Sequence, residues 1–168
     1  MKKLLFLILV VFIACGNNNE SVSLKKQNNT FDEQALYLND LLSDNKIDEG
    51  KKMAFSMILE YPNEPTLYFI MGWIYDKKNS DFLKQVYFAI CRNLYDKRIK
   101  EHTDPNDLIN RACVTQILFG KKAYYKELDS LRNLHDPEYE KVLNSPLWDE
   151  FDYEEQKDQL FKHSIKKH

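Results

Sequence analysis

The sequence predicts an all-α protein, and three observations lead to this fold class. Apolar residues recur at spacings of three and four along most of the chain, which places them on one face of each predicted helix. Capping residues and prolines divide this pattern into segments of ordinary helical length. No stretch of four or more residues alternates apolar and polar side chains between turn signals, so the sequence predicts no sheet.

The first half of the pattern predicts four helices. Thr30-Phe31-Asp32-Glu33 has the T-x-x-E form of a capping box and opens the first helix. A turn at residues 43–46 separates this helix from a second one, which Pro62 ends. Pro65 suits the first turn of a third helix, and Asn79-Ser80 precede a fourth. The residues expected to face inward in the first two helices are Phe31, Ala35, Leu38, Leu42, Ile47, Gly50, Ala54, Met57, Ile58 and Tyr61.

The second half predicts two further long helices and a C-terminal region. Asp104-Pro105 is a strong start for the fifth helix, because the carboxylate accepts from free N–H groups and proline has no N–H to satisfy. Phe119-Gly120 end that helix, and residues 121–134 form the sixth. Asp136-Pro137 and Ser145-Pro146 are each expected to begin another helical segment. We expect residues 135–168 to cap the domain, with Trp148, Phe151, Leu160 and Phe161 as their apolar contribution.

The N-terminal residues have the pattern of a secretion signal. Lys2 and Lys3 precede eleven apolar residues, Leu4 to Ala14, a run too short to span a bilayer as a helix. The last three residues of this run and the cysteine after them, Phe12-Ile13-Ala14-Cys15, resemble the lipobox of bacterial lipoproteins, although that family prefers leucine where Phe12 stands. An ordinary secretory signal with a chance cysteine, or a short membrane anchor, is the alternative.

The lipobox resemblance implies that residues 1–14 are removed and that Cys15 carries lipid, including palmitate-type acyl chains. Two or three such chains hold a protein stably at a membrane. Residues 15–30 are rich in Asn, Ser and Lys and form a flexible tether. The resemblance places the chain in the bacterial cell envelope, at the periplasmic face of the inner or outer membrane or at the cell surface.

The charge balance excludes one class of partner. Without Lys2 and Lys3, 22 of the 24 basic residues remain against 26 acidic residues, a formal net charge of about −4. Nucleic-acid binding requires a basic surface to neutralise phosphates, so no nucleic-acid partner is expected.

The predicted helices pair, and the pairs recur. Pair starts near Phe31, Thr66 and Asn106 are separated by 35 and 40 residues. The first spacing is close to the period of tetratricopeptide repeats, which is about 34 residues. With Gly72 at the small position of the first repeat helix, the other repeat positions fall on Tyr68, Met71, Tyr75, Phe88 and Cys91. Lys84 and Asp96 depart from the repeat pattern.

This resemblance to tetratricopeptide repeats implies a short solenoid of helical hairpins over residues 31–134, followed by the C-terminal cap. Such stacks bind peptides or partner proteins. It therefore implies a protein-binding module, either a scaffold for envelope proteins or an antitoxin or immunity-like protein. A generic helical bundle is the alternative fold.

No catalytic or metal-binding constellation is recognisable, so we expect neither an enzyme nor a cofactor. The sequence lacks G-x-S-x-G, H-E-x-x-H and a glycine-rich phosphate loop. The four histidines, at positions 102, 135, 163 and 168, are expected at the surface rather than at a metal. An envelope enzyme, or an accessory protein of one, with a site built from scattered residues remains the alternative.

Two groups of residues are singled out as candidates. The candidates for partner binding are Tyr68, Phe69 and Trp73, which are expected to face outward although some of them must belong to the core, and Trp148. Cys91 and Cys113 lie on inward faces of adjacent helices, where a disulfide is geometrically possible, but two buried free thiols are favoured. The aromatic and acidic residues 148–155 suit either a capping helix or a patch that docks a basic partner.

Overall fold

The described part of the structure, residues 30–133 and 137–161 of a computed structural model, is helical and contains no strand. This confirms the all-α prediction. Cys15, the predicted signal sequence and nearly all of the predicted tether lie outside the described residues. No helix within the described part is both long enough and apolar enough to cross a membrane. The helices are α1 Phe31–Ser43, α2 Ile47–Glu60, α3 Pro65–Lys77, α4 Asp81–Glu101, α5 Pro105–Phe119, α6 Lys121–Arg132, α7 Pro137–Leu143 and α8 Tyr153–Gln156.

The chain divides into two compact units. Among the described residues, the first unit contains 30–53 and 158–161, and the second contains 54–133 and 137–157. In the first unit, Thr30 and Glu33 form the predicted capping box. Gly50 allows α2 to approach α1 closely, because a Cβ atom there would lie 2.5 Å from Leu42 Cδ2. The buried apolar residues of α1 are Leu38, Leu41 and Leu42.

The second unit is a series of helix hairpins in which each long helix packs on the next. α3 packs on α4, α4 on α5 and α5 on α6, while α7 and α8 both contact α5. This packing of consecutive hairpins is repeat-like, as the sequence pattern predicts.

The ends of these helices show why the chain turns where it does. The Asp104 carboxylate accepts from the Asn106 N–H at 2.7 Å, and Pro105 occupies the first turn of α5. The Glu64 side chain caps α3 in the same way, by accepting from the Thr66 N–H. A single residue, Gly120, joins α5 to α6 with a φ of +85°, a conformation that other residues rarely adopt.

Gly72 lies where α3 and α4 come closest. A Cβ atom at this position would be 2.9 Å from three carbon atoms of the Phe88 ring. Phe88 is completely buried, and so is Cys91 one turn further along α4. The repeat resemblance placed these three residues at the contact between the paired helices, and the structure brings Gly72 and Phe88 together there.

The C-terminal region differs from the prediction. The sixth helix ends at Arg132 rather than at residue 134, and no helix begins at Ser145-Pro146. Residues 146–150 form turns instead, with i→i−3 hydrogen bonds such as Asp149 N–H to the Pro146 carbonyl at 3.2 Å. Between residue 150 and residue 161, the four-residue α8 is the only helix, because side chains of the long helices hold this backbone in place of a helical ladder.

Candidate protein-binding surface

Three of the four predicted partner-binding residues belong to the core. Phe69, Trp73 and Trp148 are 7%, 3% and 4% exposed. The Trp73 and Trp148 indoles each donate to a main-chain carbonyl, that of Lys157 and Val142 respectively, at 2.7 Å. The expectation that Phe69 and Trp73 face outward is therefore wrong. Trp148 lies inward, as its assignment to the apolar side of the cap predicts.

Tyr68, the fourth predicted residue, lies at the surface of the α3–α4 hairpin in a group of three tyrosines. Its ring centroid is 6.4 Å from that of Tyr87, and Tyr75 stacks on Tyr87 at 5.3 Å with an interplanar angle of 15°. All three side chains are half-buried. The Tyr68 hydroxyl donates to the Pro62 carbonyl at 2.9 Å, which fixes that ring against the α2–α3 turn. We call Tyr68, Tyr75 and Tyr87 the tyrosine cluster.

The surroundings of Tyr87 in this cluster favour its neutral form. Burial raises the pKa of Tyr87 above its usual value, and the neighbouring Tyr75 and Tyr68 raise it further. The phenol therefore stays protonated at physiological pH. It offers an aromatic face together with a hydroxyl that donates and accepts, a combination typical of protein interfaces.

Exposed apolar side chains border the tyrosine cluster on α4. Phe82 is 77% exposed and Val86, one helical turn later on the same face, is 36% exposed. Val86 immediately precedes Tyr87. Phe82, Tyr75 and Tyr87 were not among the residues predicted to bind a partner. Their helical positions could have indicated the exposure of two side chains, since Phe82 and Val86 do not share the face of α4 that carries the core residues Phe88, Cys91 and Tyr95.

Several of the described ionisable side chains form ion pairs that link α4, α5 and α6. Arg92 and Arg111 contact Asp96 and Glu127, with Arg111 Nε 2.7 Å from Glu127 Oε1. Burial raises the pKa of the Asp107 carboxyl, while Arg98, with Nε at 3.1 Å, opposes this shift. Within residues 30–133 and 137–161, no three His, Cys, Asp or Glu side chains converge as a possible metal site.

Lys84 explains one departure from the repeat pattern. Instead of a small residue, α4 carries a lysine whose Nζ lies 2.7 Å from Asp76 Oδ1 at the end of α3. Lys157 reaches the same carboxylate at 3.1 Å. Burial works to raise the pKa of Asp76, but hydrogen bonds from the two lysines outweigh it and hold the pKa below its usual value.

Cys91 and Cys113 are both buried free thiols. Burial raises the pKa of each thiol above its usual value, and nearby carboxylates, Glu64 and Glu127 respectively, raise it further. The reactive thiolate form is therefore disfavoured at both positions. The two cysteines act as small apolar residues in the helix packing.

Comparison with known proteins identifies no relative that could help to interpret this surface. No protein-family model matches the chain, and no curated protein or solved structure gives a significant match to it.

Proposed function

We propose that this chain is a bacterial lipoprotein, anchored to an envelope membrane through Cys15, whose helical-repeat domain binds a partner protein as a scaffold or an immunity-like module. The observation that carries the binding proposal is the tyrosine cluster with exposed Phe82 and Val86 beside it. Interface cores are enriched in such aromatic residues. Exposed apolar side chains such as these are typical of an interaction site when they lie near one another.

The first test concerns binding at this surface. Interfaces concentrate their binding energy in a few aromatic and arginine anchors, so Phe82→Ala should weaken binding by ~2 kcal/mol or more, about thirtyfold. The partner would be isolated from envelope extract by crosslinking to the wild-type protein, purified, and titrated by calorimetry. Tyr87→Ala should have an effect of similar size.

The matched control is Phe55→Ala, which removes a 51% exposed phenylalanine from α2 instead of α4. It should leave the affinity unchanged. A variant with all four histidines replaced by alanine should also bind normally. If Phe82→Ala and Tyr87→Ala remain folded and bind like wild type, while the histidine variant loses function, the enzyme alternative gains over the binding module.

The second test concerns the anchor. Cys15→Ser removes the thiol that signal peptidase II chemistry requires, so the protein should remain unprocessed or be released from membranes. Fractionation with metabolic palmitate labelling measures both outcomes, and Cys91→Ser provides a control that keeps the lipobox. Normal maturation and normal sedimentation of the Cys15→Ser variant would contradict the lipoprotein proposal.

A further inference from the structure

Residues 148–157, which we call the C-terminal segment, lie across the long helices of the second unit with little regular structure of their own. They contain only the four-residue α8. Their aromatic side chains are nevertheless deeply buried, with Trp148 and Phe151 both 4% exposed and Tyr153 2% exposed. Contacts with the surrounding helices, rather than hydrogen bonds within the segment, therefore hold its conformation.

Side chains of three helices hold the main chain of this segment. The Gln116 amide donates to the Phe151 carbonyl and accepts from the Tyr153 N–H, both at 2.9 Å. The Tyr124 hydroxyl donates to the Trp148 carbonyl at 2.6 Å. The Trp73 indole donates to the carbonyl of Lys157. Such contacts recognise an irregular backbone whatever its side chains are, in the manner of a peptide-binding surface.

Three carboxylates of the C-terminal segment, those of Asp149, Asp152 and Glu154, meet a basic side chain. Asp149 is held by both terminal nitrogens of Arg132, at 2.9 and 3.1 Å, and Asp152 pairs with Lys121. Glu154 lies 3.7 Å from Lys84. These basic residues come from α4 and α6. The surface also carries Asp76 of α3, which pairs with Lys84 and accepts from the Tyr153 hydroxyl at 3.1 Å.

The aromatic rings complete the fit. Phe151 lies 5.8 Å from the ring of Tyr124, and Tyr153 meets Phe88 edge-on at 5.7 Å. Asp152, between them, faces Lys121. The surface on α3 to α6 thus accommodates two aromatic side chains at alternate positions, with carboxylates between and beside them.

We infer that this surface is a binding site for irregular peptide segments that combine alternate aromatic residues with carboxylates, and that the C-terminal segment is its occupant within the same chain. A partner protein that presents such a segment replaces it. Several of the holding contacts are accessible to water, since the side chains of Asp149, Lys121 and Glu154 are 52%, 58% and 65% exposed. Exposed ion pairs of this kind are weak and screened by salt, which makes exchange feasible.

The probe is a labelled ten-residue peptide with the sequence of residues 148–157, titrated by fluorescence anisotropy. In the wild-type protein, the tethered segment competes at a high effective concentration and should keep apparent affinity low. In the Phe151→Ala/Tyr153→Ala variant, the internal segment binds poorly, so the peptide should bind at least about tenfold more tightly. A peptide with serine at positions 151 and 153 should not bind.

Matched variants locate the binding. In the Phe151→Ala/Tyr153→Ala background, Lys121→Gln should weaken peptide binding about twofold at low salt, whereas Lys122→Gln, at the neighbouring exposed position, should not. Gln116→Ala should weaken binding about tenfold because two backbone contacts are lost. These readouts need neither the lipid anchor nor the tyrosine cluster, so their failure is separate from that of the proposed function.

Three results would overturn the inference. The first is a folded Phe151→Ala/Tyr153→Ala variant, with cooperative unfolding by circular dichroism, that does not bind the peptide. The second is loss of cooperative unfolding in that variant, because the segment would then be an indispensable part of the core. The third is concentration-dependent dimerisation without peptide binding, which would identify a second copy of this chain as the occupant.

Discussion

Gln116→Met is expected to lower the free energy of unfolding by about 2–4 kcal/mol. Methionine has nearly the same shape as glutamine, so the change removes hydrogen bonds without opening a large cavity. Two buried main-chain groups, the Phe151 carbonyl and the Tyr153 N–H, lose their partner. Leaving a buried polar group unsatisfied costs about 1–3 kcal/mol each.

Urea denaturation followed by circular dichroism measures this loss. Gln85→Met is the matched control, because Gln85 is exposed on α4 and substitutions at such positions change stability by about 0.5 kcal/mol or less. Hydrogen exchange at the Tyr153 amide adds a local measurement, and its protection should fall in Gln116→Met. Equal stability of the two variants would mean that Gln116 does not hold the C-terminal segment in solution.

Gly72→Leu is expected to destabilise the protein by at least ~1–3 kcal/mol. Even the Cβ atom would lie 2.9 Å from the Phe88 ring, so the larger side chain forces α3 and α4 apart or displaces the ring. The better helix propensity of leucine recovers only part of this cost, since glycine is disfavoured in helices by about 1 kcal/mol.

A double-mutant cycle separates the clash from general effects on the helix. Combining Gly72→Leu with Phe88→Ala should be less damaging than the sum of the two single changes, because the shortened residue 88 makes room. Ala89→Leu, at an exposed position of α4, serves as the size control and should be nearly neutral. Strict additivity in the cycle would show that Gly72 and Phe88 do not press on one another.

Local signals predicted much of the helical framework. The capping box at Thr30 and Glu33, the Asp104 cap and the end of α5 at Gly120 depend on residues within a few positions of each other. Such contacts form whenever the local chain becomes helical. The inward faces follow from periodicity for the same reason.

What the sequence did not reveal depends on distant residues. Periodicity shows which side of α3 is apolar, but the group that covers Trp73 is the main chain at Lys157, 84 positions away. Likewise, a lysine in place of a small residue at position 84 is explained only when Asp76 and Lys157 meet it. Phe82 is the opposite case, an apolar side chain that stays exposed. Its helical position alone could not establish this exposure, because it depends on no segment among the described residues covering it.

The one-residue link at Gly120 sets the spacing between the residues of α5 and α6 that contact the C-terminal segment. Gln116 near the end of α5 and Lys121 at the start of α6 are only five positions apart across this link. Gln116 contacts the main chain at Phe151 and Tyr153, and Lys121 contacts the residue between them. An occupant shifted by one residue would place a carboxylate where an aromatic ring now packs and an aromatic ring opposite Lys121. Through the short link at Gly120, the surface distinguishes bound segments by the register in which their aromatic and acidic residues alternate, as well as by their composition.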